Sequence, residues 1–163
     1  MRLILMRHAK SDWSEPGLDD HDRPLNGRGR KSAKALGAWL RGKGYLPDQV
    51  LCSSALRTRE TLDRLRIEAL VSVEGRLYHA SPNVMWDSLS EATGQTVLMV
   101  GHNPGIAEFA AGCVAQPPAH SRFFAYPTGA TLVVDFEAPD WSHVRCATGT
   151  VWDFVVPRDL LED

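Results

Sequence analysis

Two histidines stand directly after short apolar runs. Arg7-His8 follows Arg2 to Met6 (RLILM), and Gly101-His102-Asn103-Pro104 follows Thr96 to Val100 (TVLMV). A third run, Gln49 to Cys52 (QVLC), leads into Ser53-Ser54 and a helical stretch with Arg57 in its first turn. In an open α/β sheet, ligands sit at the carboxyl ends of the strands. Arg7, His8, Arg57 and His102 would then converge at one edge, beside two helix N-termini whose free N–H groups favour an anion. Arginine forks match phosphate oxygens and stay charged at any working pH. A neutral imidazole is a competent nucleophile toward phosphorus. Surrounding guanidinium charge disfavours the imidazolium, lowers that histidine's pKa and keeps it reactive. The same charges stabilise a transferring phosphoryl group. Each part alone is a weak signal; together and in this order they are specific.

The elements that must position these groups are readable from pattern. Strands are expected at Arg2–Met6, Gln49–Cys52, Ala69–Val73, Thr96–Val100 and Thr131–Phe136, with a sixth around Val144–Val155, interrupted by Gly149. Between them, Ala33, Leu36, Gly37 and Leu40 keep helical spacing, with Asn26 as N-cap and Gly44 as stop. Ser54 is expected to cap a second helix through Thr61 and Leu65. A third spans Asn83–Leu89 after Pro82. Asn103-Pro104 would open a fourth, with proline at the first helical position. Alternating strands and helices predict a three-layer α/β/α fold with a mostly parallel central sheet. The last two strands, joined by a short stretch with Pro139, read as an antiparallel pair. Ala115 to Pro127, with three prolines, reads as a long loop, either a lid or a rim.

At 163 residues the chain is expected to be one domain, residues 1–163. Eighteen basic and twenty acidic side chains give a net charge of −2, which argues against a general nucleic-acid binder. A local basic pocket stays open. Cys52, Cys113 and Cys146 are odd in number and widely spaced, so neither zinc nor a disulfide framework is expected. The apolar start is too short for a signal peptide or membrane span, and the expected location is the cytoplasm, with no membrane partner.

Further motifs narrow the class. Leu5-Met6-Arg7-His8 resembles the opening of the histidine phosphatase superfamily, whose motif is Arg-His-Gly. More closely, the chain resembles the small SixA-type phosphohistidine phosphatases. Arg23-Pro24-Leu25, the Ser-x-x-x-Arg block within Cys52 to Thr58, Thr61, and Val100 to Pro104 carry the likeness, over about residues 2 to 112. The resemblance implies a phosphoglycerate mutase-like fold and no cofactor or metal. It implies that His8 attacks the phosphoryl group while Arg7, Arg57 and His102 hold its oxygens. Arg23 would be a further phosphate or substrate contact. Arg59 lies about 200° around the helix from Arg57, so only one faces the site, and Arg57 is the choice.

Two departures matter. Ala9 stands where the superfamily has glycine, tolerable if its backbone has φ < 0. The stretch Leu77 to Pro82 has no carboxylate where larger branches carry a glutamate acid, and Glu74 precedes the turn. A sugar-phosphate ester leaves as an alkoxide and needs a proton, whereas phosphohistidine leaves as an imidazole and needs less help. The expectation is therefore a phosphatase acting on phosphohistidine in a signalling protein. Alternatives are a phosphatase for small phosphate esters and a non-catalytic phospholigand-binding module. His79 is either a proton donor and substrate contact or a structural histidine. Lys10 either assists the substrate or is simply exposed. Asp19, Asp20, His21 and Asp22 read as a solvated acidic loop, metal being the minor alternative, since consecutive side chains fan out. The five tryptophans read as core or half-buried packing.

Overall fold

A computed structural model describes residues 1–161. Six strands form one sheet: β1 (Arg2–Arg7), β2 (Gln49–Ser53), β3 (Leu70–Glu74), β4 (Thr96–Gly101), β5 (Thr131–Asp135) and β6 (Thr150–Val155). Their spatial order is β3-β2-β4-β1-β5-β6. The first four run parallel, and β5 is antiparallel to both β1 and β6. Helices α1 (Gly27–Lys43), α2 (Leu56–Leu65), α3 (Pro82–Ser90), α4 (Gly105–Cys113) and α5 (Pro157–Leu160) complete the fold.

The apolar runs become central strands because both faces are covered. Along β1, Leu3 and Leu5 enter one core with Met99, Phe109 and Leu132. Ile4 and Met6 enter the other with Leu36, Leu40 and Val100. The period of two assigns each side chain to a layer. Asn26 caps α1 by accepting from the Gly29 N–H at 2.8 Å, and Gly44 ends it at φ +74°.

Several sequence expectations are corrected. The N-cap of α2 is Ala55, without a side-chain bond, because the Ser54 hydroxyl pairs with His21 Nε2 at 2.9 Å instead. Helix α4 begins at Gly105 with Pro104 as its cap. Asn103 spends its side-chain amide on the Ala125 and Tyr126 carbonyls, both at 3.1 Å. The stretch between β5 and β6 is longer than expected. It contains a 3₁₀ turn, Trp141–His143, and β6 starts only after Gly149, which bridges to Val114. β3 is an exposed edge strand, and Trp13 and Trp152 are largely exposed rather than packed in the core. Cys52 and Cys113 are buried free thiols and Cys146 is an exposed one. Among the described residues, no helix is long and apolar enough to cross a membrane, and no three His, Cys, Asp or Glu side chains gather as a metal site.

Candidate active site

Sheet order decides what meets. β2, β4 and β1 are neighbours, and the β1–β4 register sets Arg7 opposite Gly101. The residues just past those strand ends are therefore adjacent. His8 is tied across by its N–H to the Gly101 carbonyl at 3.1 Å. The His8 and His102 rings lie 5.3 Å apart. Arg57, one residue into α2, reaches back to His8, its Nε–H donating to Nε2 at 3.4 Å. Arg7, His8, Lys10, Ser11, Trp13, Arg57, His102, Asn103 and Thr128 line a cleft of about 270 Å³.

His8, Arg57 and His102 are only 5%, 6% and 3% exposed. His8 Nδ1 lies 2.7 Å from the Ala9 carbonyl, an acceptor, so this nitrogen carries the ring proton and Nε2 keeps its lone pair. Burial chiefly pushes the His8 pKa down to about 4. The Arg7 and Arg57 charges add to this, and the Ala9 hydrogen bond opposes it. Burial, then His8 and Arg57, push His102 down to about 3. Both rings are thus neutral at pH 7. Guanidinium charge acts as the sequence suggested, but exclusion of water is the larger cause.

Loops are pinned around this pair. The Ala9 N–H donates to Thr61 Oγ1 at 3.0 Å, and that hydroxyl donates to the Arg57 carbonyl at 2.7 Å. One α2 threonine thus couples the residue after His8 to the turn carrying Arg57. Ala9 is fully buried and has no positive φ, so its methyl is accommodated. Gly129, at φ +77°, donates to the Arg7 and His8 carbonyls and closes the far wall. The end of the Ala115–Pro127 loop is held by Asn103, and Thr128 just beyond it lines the cleft.

The other expected residues fall around this centre. Arg23 is buried, its guanidinium 3.9 Å above the Trp13 ring. Lys10 is exposed at the cleft wall. His79 lies at the mouth, mostly exposed, its ring 6.0 Å from that of His102. Arg59 is exposed and turns to the Ser54 carbonyl, away from His8. Glu74 is engaged by Arg76 and Ser88.

Two partners were not foreseen as such. Asp20 accepts from Arg57 and from the Tyr78 hydroxyl (2.5 Å), so the acidic loop is not merely solvated. Ser53 Oγ lies 2.7 Å from His102 Nε2. Ser53 opens the Ser-x-x-x-Arg block, so its signal was present; a lone aspartate in an acidic run carries none.

Among the described residues, the buried side-chain nitrogens and oxygens without a partner are Arg7 Nε, Arg23 Nε and Nη1, His102 Nδ1 and Asn103 Oδ1. All belong to this centre or its border, and the arginine atoms are donors. Orphaned buried donors are costly unless a ligand satisfies them. The arrangement can therefore hold an anion beside the unprotonated Nε2 of His8.

An α/β fold with paired histidines and arginines at the ends of β1, β2 and β4 defines a phosphoryl-handling class. The chain belongs to the histidine phosphatase superfamily (branch 1), whose family model matches residues 3–78. It is similar to the SixA protein of Nakamurella multipartitia, with 30% identity, a TM-score of 0.86 and 96% of either chain covered. The fold also matches the protein histidine phosphatase SixA complexed with tungstate, at TM-score 0.79, 23% identity and 99% and 100% coverage. An uncharacterized protein of Mycobacterium leprae is 36% identical over 162 residues, covering 94% of this chain and all of its own. The fold is thus phosphoglycerate mutase-like, and the family supports phosphatase activity.

Proposed function

We propose that this chain is a metal-independent phosphatase that removes phosphate from phosphohistidine in a protein, through an intermediate on His8. The observation that carries the reading is His8 itself. Its Nδ1 is committed to Ala9, leaving Nε2 unprotonated, facing Arg57 and lining the cleft. In the first step the Nε2 lone pair bonds to phosphorus and the substrate's P–N bond breaks. The departing imidazole keeps that electron pair and takes a proton from His79 or water. In the second step water attacks phosphorus and the P–Nε2 bond breaks. Orthophosphate leaves and the water's proton passes to solvent. Arg7, Arg57 and His102 hold the equatorial oxygens in both steps, and Arg23 borders them.

The lack of a strong acid supports an imidazole leaving group over an alkoxide. Among the described residues, no carboxylate lines the cleft. Asp20, which pairs with the cleft-lining Arg57, has its pKa lowered by the Tyr78 hydroxyl first and by Arg57 as well, against an opposing burial effect, so it stays ionised. A group held ionised is a poor proton donor.

The test is release of phosphate, with EDTA present, from a phosphohistidine-carrying protein and from a panel of phosphate esters, with His8→Ala alongside. Fast release from phosphohistidine and slow release from unactivated esters are expected. Equal or better turnover of unactivated esters would reassign the chain to small-molecule substrates.

A further inference from the structure

A second cleft, of about 240 Å³, adjoins the one that holds His8. The two share Lys10 and Thr128 as a common wall. Among the described residues its charged lining is entirely cationic: Lys10, Arg28, Arg122 and Arg158. These come from four separate places, the turn after β1, the first turn of α1, the Ala115–Pro127 loop and α5. Among the described residues none of the four is in an ion pair. The nearby acid on α5, Asp159, is already engaged by His120 at 2.9 Å and by the Val156 N–H at 3.0 Å. The floor is firm: Val156 and Ser32 are buried. In a chain of net charge −2, four unpaired cations around one hollow are a local reversal of sign. Like charges gathered without counter-charge repel one another, and an anion between them removes that cost.

We propose that this cleft is a subsite for a second anionic group of the substrate, a phosphate or carboxylate carried beside the phosphoryl group that His8 attacks. The inference rests on the phosphatase reading of the His8 cleft and extends it. Lys10, on the shared wall, faces both anions. Arg28, Arg122 and Arg158 serve the second anion only, so they set substrate preference without touching the reacting phosphorus.

The test compares the wild type with the triple variant Arg28→Ala, Arg122→Ala, Arg158→Ala. Turnover of p-nitrophenyl phosphate, which carries one anionic group, is the reporter. Orthophosphate, tripolyphosphate and a phosphohistidine peptide flanked by glutamates are the competitors. Unchanged kcat and KM for the reporter and unchanged inhibition by orthophosphate are expected. Inhibition by tripolyphosphate or by the acidic peptide should weaken roughly tenfold, since exposed ion pairs are individually modest and three are removed. Whichever competitor weakens identifies a small polyanion or an acidic protein segment as the source. That preference should also fade with added salt.

Equal inhibition by both two-anion competitors in wild type and variant would overturn the subsite. So would a large loss of reporter turnover in a variant whose circular dichroism and Tm match the wild type, because the arginines would then act in the catalytic centre. If the triple variant melts early, the single variants Arg122→Gln and Arg158→Gln are read in the same way. Failure to hydrolyse any phosphohistidine substrate would count against the leaving group proposed above. The competition measurement would still read the subsite.

Discussion

Asp20 grips Arg57 twice. Its main-chain carbonyl accepts from Nη1 at 2.6 Å and its carboxylate from Nη2 at 3.0 Å. The third nitrogen of the same guanidinium, Nε, is the one turned to His8. The first residue of a 3₁₀ turn, Asp20–Asp22, therefore orients the arginine that faces His8. Tyr78 and His79 approach the same carboxylate from the end of the turn after β3, at 2.5 and 3.5 Å.

Asp20→Ala should lower kcat about tenfold while KM changes less, because a misplaced guanidinium costs transition-state contacts more than ground-state binding. Asp20→Asn, which keeps the main-chain contact and a side-chain acceptor, should recover part of that loss. Steady-state kinetics on one activated ester checks both.

His8→Ala should abolish turnover, by at least on the order of 10³, with the fold intact by circular dichroism. Trapping with labelled substrate should give an acid-labile phosphoenzyme in wild type and none in the variant. Arg57→Ala and His102→Ala should each cost on the order of 10²–10³ in kcat, as lost donors to the developing charge.

The two neutral histidines make stability pH-dependent with a definite sign. Their pKa values are about 4 and about 3 in the fold, against about 6.5 when unfolded. Between these limits the unfolded chain binds more protons, so stability rises with pH and is lost as pH falls from about 6.5 toward 3. Tm measured across that range should drop steeply. His8→Ala and His102→Ala should each flatten the slope.

Two glycines of α1 should respond in opposite directions. A Cβ at Gly29 would run into the Lys10 backbone, whereas a Cβ at Gly42 meets nothing within 4 Å. Gly29→Ala should destabilise by about 1–3 kcal/mol and disturb the turn after His8. Gly42→Ala should stabilise by about 0.5–1 kcal/mol, the usual helix gain. Urea melts with activity assays distinguish the two.

The convergence of Arg7, His8, Arg57 and His102 was legible because each sits at or within a few residues of a strand end, where chain order alone predicts that they meet. The core strands were legible for the same reason: apolar runs such as Thr96–Val100 need cover on both faces. Asp20 was not, because four polar residues in succession read as solvated until Arg57 is seen bending back to one of them. Asn103 looked like a helix cap. It instead holds the end of the Ala115–Pro127 loop, a long-range contact that no local pattern reports. Trp13 stays largely exposed while one face of its ring takes Arg23, a pairing invisible before the loop is placed.

The position of β5 beside β1 has a consequence for synthesis. The strand that leads into His8 is made first, but its two neighbours in the sheet are β4 and β5, formed by residues 96–101 and 131–135. Gly129 supplies the bonds that hold the Arg7 and His8 carbonyls. During translation, then, one edge of β1 waits for residues 96–101 and the other for residues 131–135. Such distant pairings slow folding and leave strand edges open to wrong partners. A chain stopped before β5 would carry Arg7, His8, Arg57 and His102 yet leave one edge of β1 open and the Arg7 and His8 carbonyls without the Gly129 N–H, a product prone to wrong pairing.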